Sequence, residues 1–364
     1  MRVKNFNKKM IFDYVIVGSS PLAILQASHY KFRKNKILVI DKNSFIGGAW
    51  ASIKIFGFTN VENAIHYFLP SNFAIKFLKN YLHLSIIQSK KKIRILEKSF
   101  FGKKHFHYDS IIGKFLTQFQ QKKFNKLFSL YFVKSLFYKS HYLKNGSKDL
   151  IQYLKKIIFF FKIKILLNHS IKKIEINSKE KFVKLSVKAG KKNFCVISRK
   201  LCITHGLKIN KFFGDLGDIK INPLKELRPC LHICLHDNLE SKANELIFNN
   251  DNLIKYVHDV TEYVDKKIKN KKILVLALHP KIKNTKKNFV KIINKLKKEF
   301  LISKNSKVLG YKWTDIFLPE LTDETLVNIY KKYPNQIDFM LSDNFTLGID
   351  LYSDNWKFLK NIKL

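Results

Sequence analysis

Arginine is nearly missing. Of 69 basic residues only five are Arg (Arg2, Arg33, Arg94, Arg199, Arg228), against 27 acidic residues and a formal net charge of +42. So strong a positive charge invites a nucleic-acid reading. Base readout, however, favours the planar Arg fork, which this chain hardly uses. Lysine is spread along the whole sequence, and the other enriched types, Ile, Phe and Asn, share its A- and T-rich codons. A coding bias with solvated lysines therefore accounts for the charge. No specific nucleic-acid partner is expected, and a peripheral contact with an anionic membrane stays open. The sequence does not set the oligomeric state.

Long uncharged runs are also lacking. The most apolar stretch, "LIQYLKKIIFFFKIKILL", is broken by Lys155, Lys156, Lys162 and Lys164, so no transmembrane helix is expected. Asp13 interrupts the apolar run that follows Lys8 and Lys9, which argues against a signal peptide and for a cytoplasmic protein. The four cysteines are then expected as reduced thiols. Gly-x-Ser-x-Gly, Walker, His-Glu-x-x-His and Cys-x-x-Cys motifs are absent, which removes the commonest hydrolase, nucleotidase and zinc-enzyme readings. Cys230, His232, Cys234 and His236 alternate in "RPCLHICLH". On a strand rising about 3.3 Å per residue their ends lie about 20 Å apart, so they cannot close round one ion, and no metal is expected.

What is present starts at residue 11. "IFDYVIV" reads as a buried parallel strand, Pro21 opens a helical pattern over 21–33, and "KILVI" (36–40) is a second buried strand ending at Asp41. Strand, turn, helix and strand make a βαβ unit. Its turn is Gly18-x-Ser20-x-x-Ala23 in place of Gly-x-Gly-x-x-Gly. Gly18 keeps the tight turn and Ala23 is a mild replacement at the helix–strand contact. Ser20 adds a Cβ where the backbone should approach a pyrophosphate, although its hydroxyl can itself bond a phosphate. Asp41, 23 residues after Gly18, stands where an acidic side chain accepts from ribose hydroxyls.

Residues 70–140 read as mostly helical, and Gly146 and Ser147 as a turn and cap before an amphipathic helix. Over 163–204 the period switches to two, as expected for a β-meander or return strands. Residues 228–236 and 272–279 read as further strands and 286–300 as a helix.

After Asp41 comes "DKNSFIGGAW". This order, strand, glycine turn, helix, strand, Asp-Lys, then Gly47-Gly48, resembles the FAD-binding domain of flavin amine oxidases, protoporphyrinogen oxidase, phytoene desaturase and UDP-galactopyranose mutase. "NGSKDLIQYLKKI", "ILLNHSIKKIEI" and "SRKLCIT" resemble three later blocks of the same superfamily. The resemblance implies an α/β fold: a doubly wound, Rossmann-type, glutathione-reductase-like FAD lobe with an interleaved α+β substrate lobe. The segments would be 1–75 (FAD-binding, first part), 76–140 (mostly helical cap), 141–210 (FAD-binding, second part), 211–320 (mixed-sheet substrate lobe) and 321–364 (C-terminal helix and FAD-proximal segment). It implies non-covalent FAD held by Gly18, Ser19, Ser20, Pro21, Leu22, Asp41, Lys42, Gly47, Gly48, Ala49, Trp50, backbone groups of Ile171, and Asp350 in "LGIDLYSDNW". In "FTNVENAIH" the matching stretch faces substrate or flavin, which makes Asn63 and His66 the catalytic candidates, with Glu62 behind them. Tyr311 and Trp313 would line the cavity of a small-molecule substrate. The implied activity is hydride transfer from a small or lipid-like organic substrate to flavin N5. The alternatives are a mutase-like flavoenzyme on a sugar nucleotide and a degenerate, non-catalytic dinucleotide-binding protein.

Overall fold

The computed structural model describes residues 11–63, 72–88, 93–99, 102–107, 141–204, 211–220, 224–236, 245–249, 251–261, 270–299, 301–320, 328–329, 331–340 and 353–361. The chain divides into two compact units. The first takes residues 1–51, 150–226 and 317–364, the second 52–149 and 227–316.

The first unit is built round a parallel sheet. Strand β1 (Ile11–Val17) lies between β2 (Ile37–Ile40) and β12 (Lys192–Thr204); β9 (Lys164–Leu166) extends the sheet beyond β2, and β20 (Ile337–Met340) beyond β12, all parallel. Reading outward from β1, this is the 3-2-1-4-5 order of a doubly wound dinucleotide fold. β2 is buried at all four residues and β1 at Val15 and Ile16, as crossover helices on either side require. Helix α1 (Pro21–Phe32) makes the first crossover. Pro21 fits the first turn, where its missing N–H costs nothing, and the Ser20 side chain caps the Ala23 amide. The amphipathic helix α3 (Lys148–Phe160) leads into β9. Leu150, Tyr153, Leu154 and Ile157 form its buried stripe, at the three- and four-residue spacing of one helix face.

β12 has two jobs. Its first half completes an antiparallel meander with β10 (Ser170–Asn177) and β11 (Phe182–Ala189), and its second half runs parallel to β1. "FCVIS" and "KLCIT", two strands by pattern, are thus one. One apolar core joins both parts: Phe12, Val15, Leu38, Ile174, Leu185 and Leu201 are buried together. Each such side chain contributes about 1.5–3 kcal/mol on leaving water. On the far edge of the meander lie β13 (Lys211–Gly214) and β14 (Ile219–Lys220). A 3-10 helix, Ser353–Asn361, packs against α1, with the Asn355 amide donating to Gln26 Oε1 at 3.2 Å.

The second unit carries a seven-stranded sheet in the order β19-β15-β18-β17-β16-β6-β7. These are Lys307–Glu320, Leu224–His236, Lys271–Leu278, Ile254–Asp259, Glu245–Asn249, Ile93–Ser99 and Gly102–His107. Helix α4 (Lys286–Lys298), capped by Thr285, lays Ile292, Ile293 and Leu296 on Leu231, Ile233 and Leu235 of β15. The other face of β15 carries Cys234, packed with Ile55, Val61 and Val275. Two ribbons complete the unit, β3–β4 (Ser52–Ile55, Phe58–Glu62) and β5–β8 (Ile86–Gln88, His141–Leu143), beside helix α2 (Asn72–Asn80). The segment 76–140, expected to be mostly helical, differs in its described part. After α2 it holds strands β5, β6 and β7. β6 pairs with β16 from far along the chain and antiparallel with β7, Ser99 opposite Gly102. Pairing with a distant strand outweighs local propensity here, and no Asn-Gly or Asp-Gly signal marks the turn.

Candidate functional site

The site forms at the C-terminal edge of the parallel strands of the first unit. β1 ends at Val17 and the chain turns at Gly18, whose φ of 100° is strained for any residue with a Cβ. The Gly18 amide donates to Ile40 O (2.8 Å), which ties the turn to the end of β2. Ser20 then starts α1. Its hydroxyl oxygen accepts from the Ala23 amide (3.3 Å), so the hydroxyl proton stays free to be donated outward. Pro21 and Leu22 follow, both buried. The substituted turn is therefore a normal helix start, with the positive end of the helix dipole behind it.

Asp41 is buried just past β2. Its Oδ2 accepts from the Ser19 amide (2.7 Å) and the Ser19 hydroxyl (2.5 Å), and Oδ1 accepts from the Asn43 amide (2.8 Å). An ionised carboxylate offers about four acceptor directions, so these three bonds leave room for one more donor. A buried carboxylate without such donors would be costly. Lys42 beside it is exposed.

The Gly47-Gly48 loop is anchored to the same turn. Gly47 N–H donates to Ser19 O (2.7 Å), with Gly47 at φ 99° and Gly48 at φ 57°. A Cβ on Gly47 would overlap Ile151 Cδ1. A Cβ on Gly48 would stand 3.9 Å from Ser20 Cα, filling the gap between the loop and the start of α1. Gly48, Ala49 and Trp50 form a single 3-10 turn, closed by Trp50 N–H to Gly47 O (3.0 Å); all three are half-buried.

The loop between β9 and β10 completes the set. Asp41 N–H donates to Leu166 O, Asn168 N–H to Asn43 O and His169 N–H to Asp41 O, each at 2.9 Å. Ile171, the second residue of β10, is buried opposite Val187 and just before a bulge. Gly18, Ser19, Asp41, Gly47 and the β9–β10 loop are thus tied together by backbone and carboxylate hydrogen bonds at one sheet edge, with Ser20, Gly48 and Ile171 next to them in the chain. Sequence reasoning missed one positioning residue. Thr204 ends β12 and donates its hydroxyl to Val17 O (2.5 Å), fixing the last carbonyl before the turn. A threonine closing an apolar strand carries no signal of that role.

This edge fits a dinucleotide: amides and a hydroxyl at a helix start, an acceptor for a ribose, and a glycine gap that a Cβ would fill. Asp350 and His66 lie outside the described residues.

In the second unit, Asn63 is half-buried at the bend after β4. Its neighbour Glu62 is buried, and its Oε1 accepts the Ser147 amide (2.9 Å). The Ser147 hydroxyl lies 3.1 Å from Ser52 Oγ. His232 Nε2 lies 2.9 Å from the Glu62 carbonyl, which can only accept, so Nε2 carries the proton. Burial holds the His232 pKa down at about 4, so the ring is neutral at physiological pH. Tyr311 is largely exposed and stacks on Phe289 at 3.9 Å. Trp313 packs against the apolar core of this unit, with its buried indole N–H unpartnered among the described residues. Burial raises the Cys202 and Cys234 thiol pKa values, so neither is a ready thiolate. No group of three or more metal-type side chains gathers among the described residues.

No curated protein matches the sequence. Residues 16–81 match the family described as NAD(P)-binding Rossmann-like domain. Among solved structures, a putative protoporphyrinogen oxidase from Exiguobacterium sp. is 12% identical, with 97% of this chain and 98% of that one covered and a TM-score of 0.64. Putrescine oxidase bound to putrescine is 11% identical (96% and 98% covered, TM-score 0.63). RAB GDI from Plasmodium falciparum is 13% identical (96% and 97% covered, TM-score 0.57). The chain therefore shares the fold of these three structures over nearly its whole length, and its residues 16–81 match a Rossmann-like dinucleotide-binding domain.

Proposed function

We propose that the protein is an FAD-dependent oxidoreductase that takes a hydride from a small or lipid-like organic substrate onto flavin N5. The observation that carries this reading is the hydrogen-bonded set of Ser19, Asp41 and Gly47, which holds the glycine turn, the ribose acceptor and the glycine pair together. When bound, FAD supplies the hydride-accepting chemistry, and the protein supplies binding, orientation and electrostatics. In this reading, the Ser20 amide and the Ser20 hydroxyl donate to the pyrophosphate, while the Ser19 amide stays on Asp41. Asp41 takes a ribose hydroxyl in its remaining acceptor direction. The backbone of Gly47, Gly48, Ala49 and Trp50 passes close to the cofactor, Ile171 meets adenine through its backbone, and Asp350 serves the ribityl or pyrophosphate end. Lys42 adds positive charge, and Pro21 and Leu22 set the start of α1. His66 and Asn63 are the proposed groups facing substrate, with Tyr311 and Trp313 lining its cavity.

A scaffold without flavin chemistry is the second reading. It is favoured by the likeness to RAB GDI, which is not named as an oxidase, and by an Asp41 already holding three protein donors. An absorbance spectrum of the purified protein, followed by release and chromatographic identification of the cofactor, separates the two. Flavin bands and released FAD are expected. A colourless protein that takes up no FAD on reconstitution refutes the oxidoreductase reading.

A further inference from the structure

The parallel sheet of the first unit has a second end. Its crossover helices run against the strands, so the C-terminal ends of α1 and α3 lie with the N-terminal ends of β2 and β9, away from the glycine turn. A 12-residue helix is about 18 Å long, which separates this end from the nucleotide edge by about that distance. Here the surface is unusual. Phe159 is 87% exposed, Phe32 55% and Phe160 51%. Phe32 and Phe160 belong to one aromatic cluster: Phe32 stacks on Phe358 of the 3-10 helix at 4.9 Å, Phe161 meets Phe358 at 5.7 Å, and Phe160 meets Phe161 at 5.0 Å; Phe159 precedes Phe160 at the end of α3. Scattered exposed apolar residues need no explanation, but a contiguous exposed cluster marks an interaction surface.

The cluster is ringed by cations. Lys155 and Lys156 stand one helical turn before Phe159 and Phe160, Lys162 follows Phe161, Arg33 and Lys34 follow Phe32, and Lys357 precedes Phe358; all six are exposed. At the strand starts Lys36 and Lys164 both lie over the Phe12 ring, at 5.5 and 5.8 Å. Burial first, and the Lys36 charge second, hold the Lys164 ammonium below its ordinary pKa, as expected where positive charge is crowded. Among the described residues two carboxylates face this end. Asp354 is paired with Lys357 (3.0 Å), and Asp13 lies 3.6 Å from Arg199 and accepts the Lys36 amide. Neither offsets the excess.

We propose that this end of the first unit, with Phe32, Phe159 and Phe160 at its centre and lysines at its rim, docks on an anionic lipid surface. Exposed aromatic rings with surrounding lysines match the boundary between headgroups and acyl chains, where the rings leave water and the ammonium groups meet lipid phosphates and carboxylates. Single-stranded RNA also offers negative charge, and its bases stack on aromatic rings. Phe32 and Phe160, however, are engaged with Phe358 and Phe161, and this apolar packing suits a lipid surface better than insertion of bases.

The test is sedimentation of the full-length protein with two kinds of vesicle, phosphatidylcholine alone and phosphatidylcholine with one third phosphatidylserine. The wild type is expected on the anionic vesicles and not on the neutral ones. Phe32→Ser/Phe159→Ser/Phe160→Ser is expected to lower partitioning at least about tenfold. Lys155→Glu/Lys156→Glu/Lys162→Glu is expected to lower it as much. An equal charge change on the exposed face of the meander, Lys188→Glu/Lys191→Glu/Lys192→Glu, is expected to lower it by less than about threefold, because only lysines near the bilayer contribute. Should the triple Phe variant melt at a lower temperature than the wild type, Phe159→Ser alone, at the most exposed ring, carries the comparison. Equal binding to both vesicles, undiminished binding by the Phe variants, or equal loss in the meander variant overturns the proposal. So does a wild type that prefers single-stranded polyuridylate to anionic vesicles in direct competition.

Discussion

Gly47→Ala tests the geometry of the candidate site most sharply. At φ 99° a residue with a Cβ is strained by about 1–2 kcal/mol before any neighbour is counted. The new methyl also overlaps Ile151 Cδ1, the far end of a flexible side chain. Turning that group aside costs about 0.5–1.5 kcal/mol. The total is about 2–3 kcal/mol, and the Gly47 amide is turned away from Ser19 O. Ile151→Val deletes Cδ1 and keeps the rest of the side chain. In that background Gly47→Ala is expected to cost about 1 kcal/mol less, so the double-mutant cycle has a coupling of about that size. Urea unfolding of the four proteins, compared by midpoint at unchanged m-value, measures it. If Gly47→Ala costs the same in both backgrounds, Ile151 does not stand against the loop and the placement of α3 behind Gly47 is wrong. If the substitution costs nothing, the left-handed turn itself is absent.

Asp41→Asn removes a buried charge that accepts three hydrogen bonds and sets an NH2 group against two Ser19 donors; it is expected to lose about 2–4 kcal/mol of stability by thermal unfolding and most of the bound FAD by absorbance. Ser20→Gly is expected to cost a few tenths of a kcal/mol and keep FAD, Ser20→Ala about 1 kcal/mol through the lost cap, and Ser20→Leu to lose FAD by filling the gap under Gly48; normal flavin content in Ser20→Leu would mean that the pyrophosphate lies elsewhere. His232 has a native pKa of about 4 against about 6.5 when unfolded, so the unfolded chain binds the extra proton between those values. Its contribution is complete above pH ~6.5 and is lost as the pH falls towards 4, by up to about 3 kcal/mol. His232→Gln is expected to flatten that part of the stability–pH curve, and an unchanged curve would contradict the buried neutral ring.

The sequence made the nucleotide lobe readable because its elements are locally determined. β1, α1 and β2 follow each other within 30 residues, the apolar runs are bounded by Pro21 and Asp41, and Gly18 and Gly47 sit where φ must be positive. The meander was readable by its period of two. What pattern could not reach were links between distant residues. Ser19 as a donor to Asp41, Thr204 under Val17 and Glu62 at the Ser147 amide each join side chains whose own neighbours say nothing of the partner. The strands at 86–107 were read as helix for the same reason, since β6 is held by β16, about 150 residues away. "RPCLHICLH" was rightly taken as a strand with its polar side chains on one face, yet the use of His232, a bond to a backbone carbonyl of β4, has no signature in sequence.

Strand β12 has a consequence for how the protein is made. β1 leaves the ribosome first but pairs with residues 197–203, and β12 in turn receives β20 at residues 337–340. At about 5–20 residues per second, β1 and β2 wait about 10–40 s for that neighbour. During this interval two short apolar strands have an open edge, and the glycine turn has no Thr204 beneath it. The unit whose first strands are made earliest is thus closed late in synthesis. A nascent chain stalled before residue 197 is a natural client for a holdase, and release from it should coincide with completion of β12.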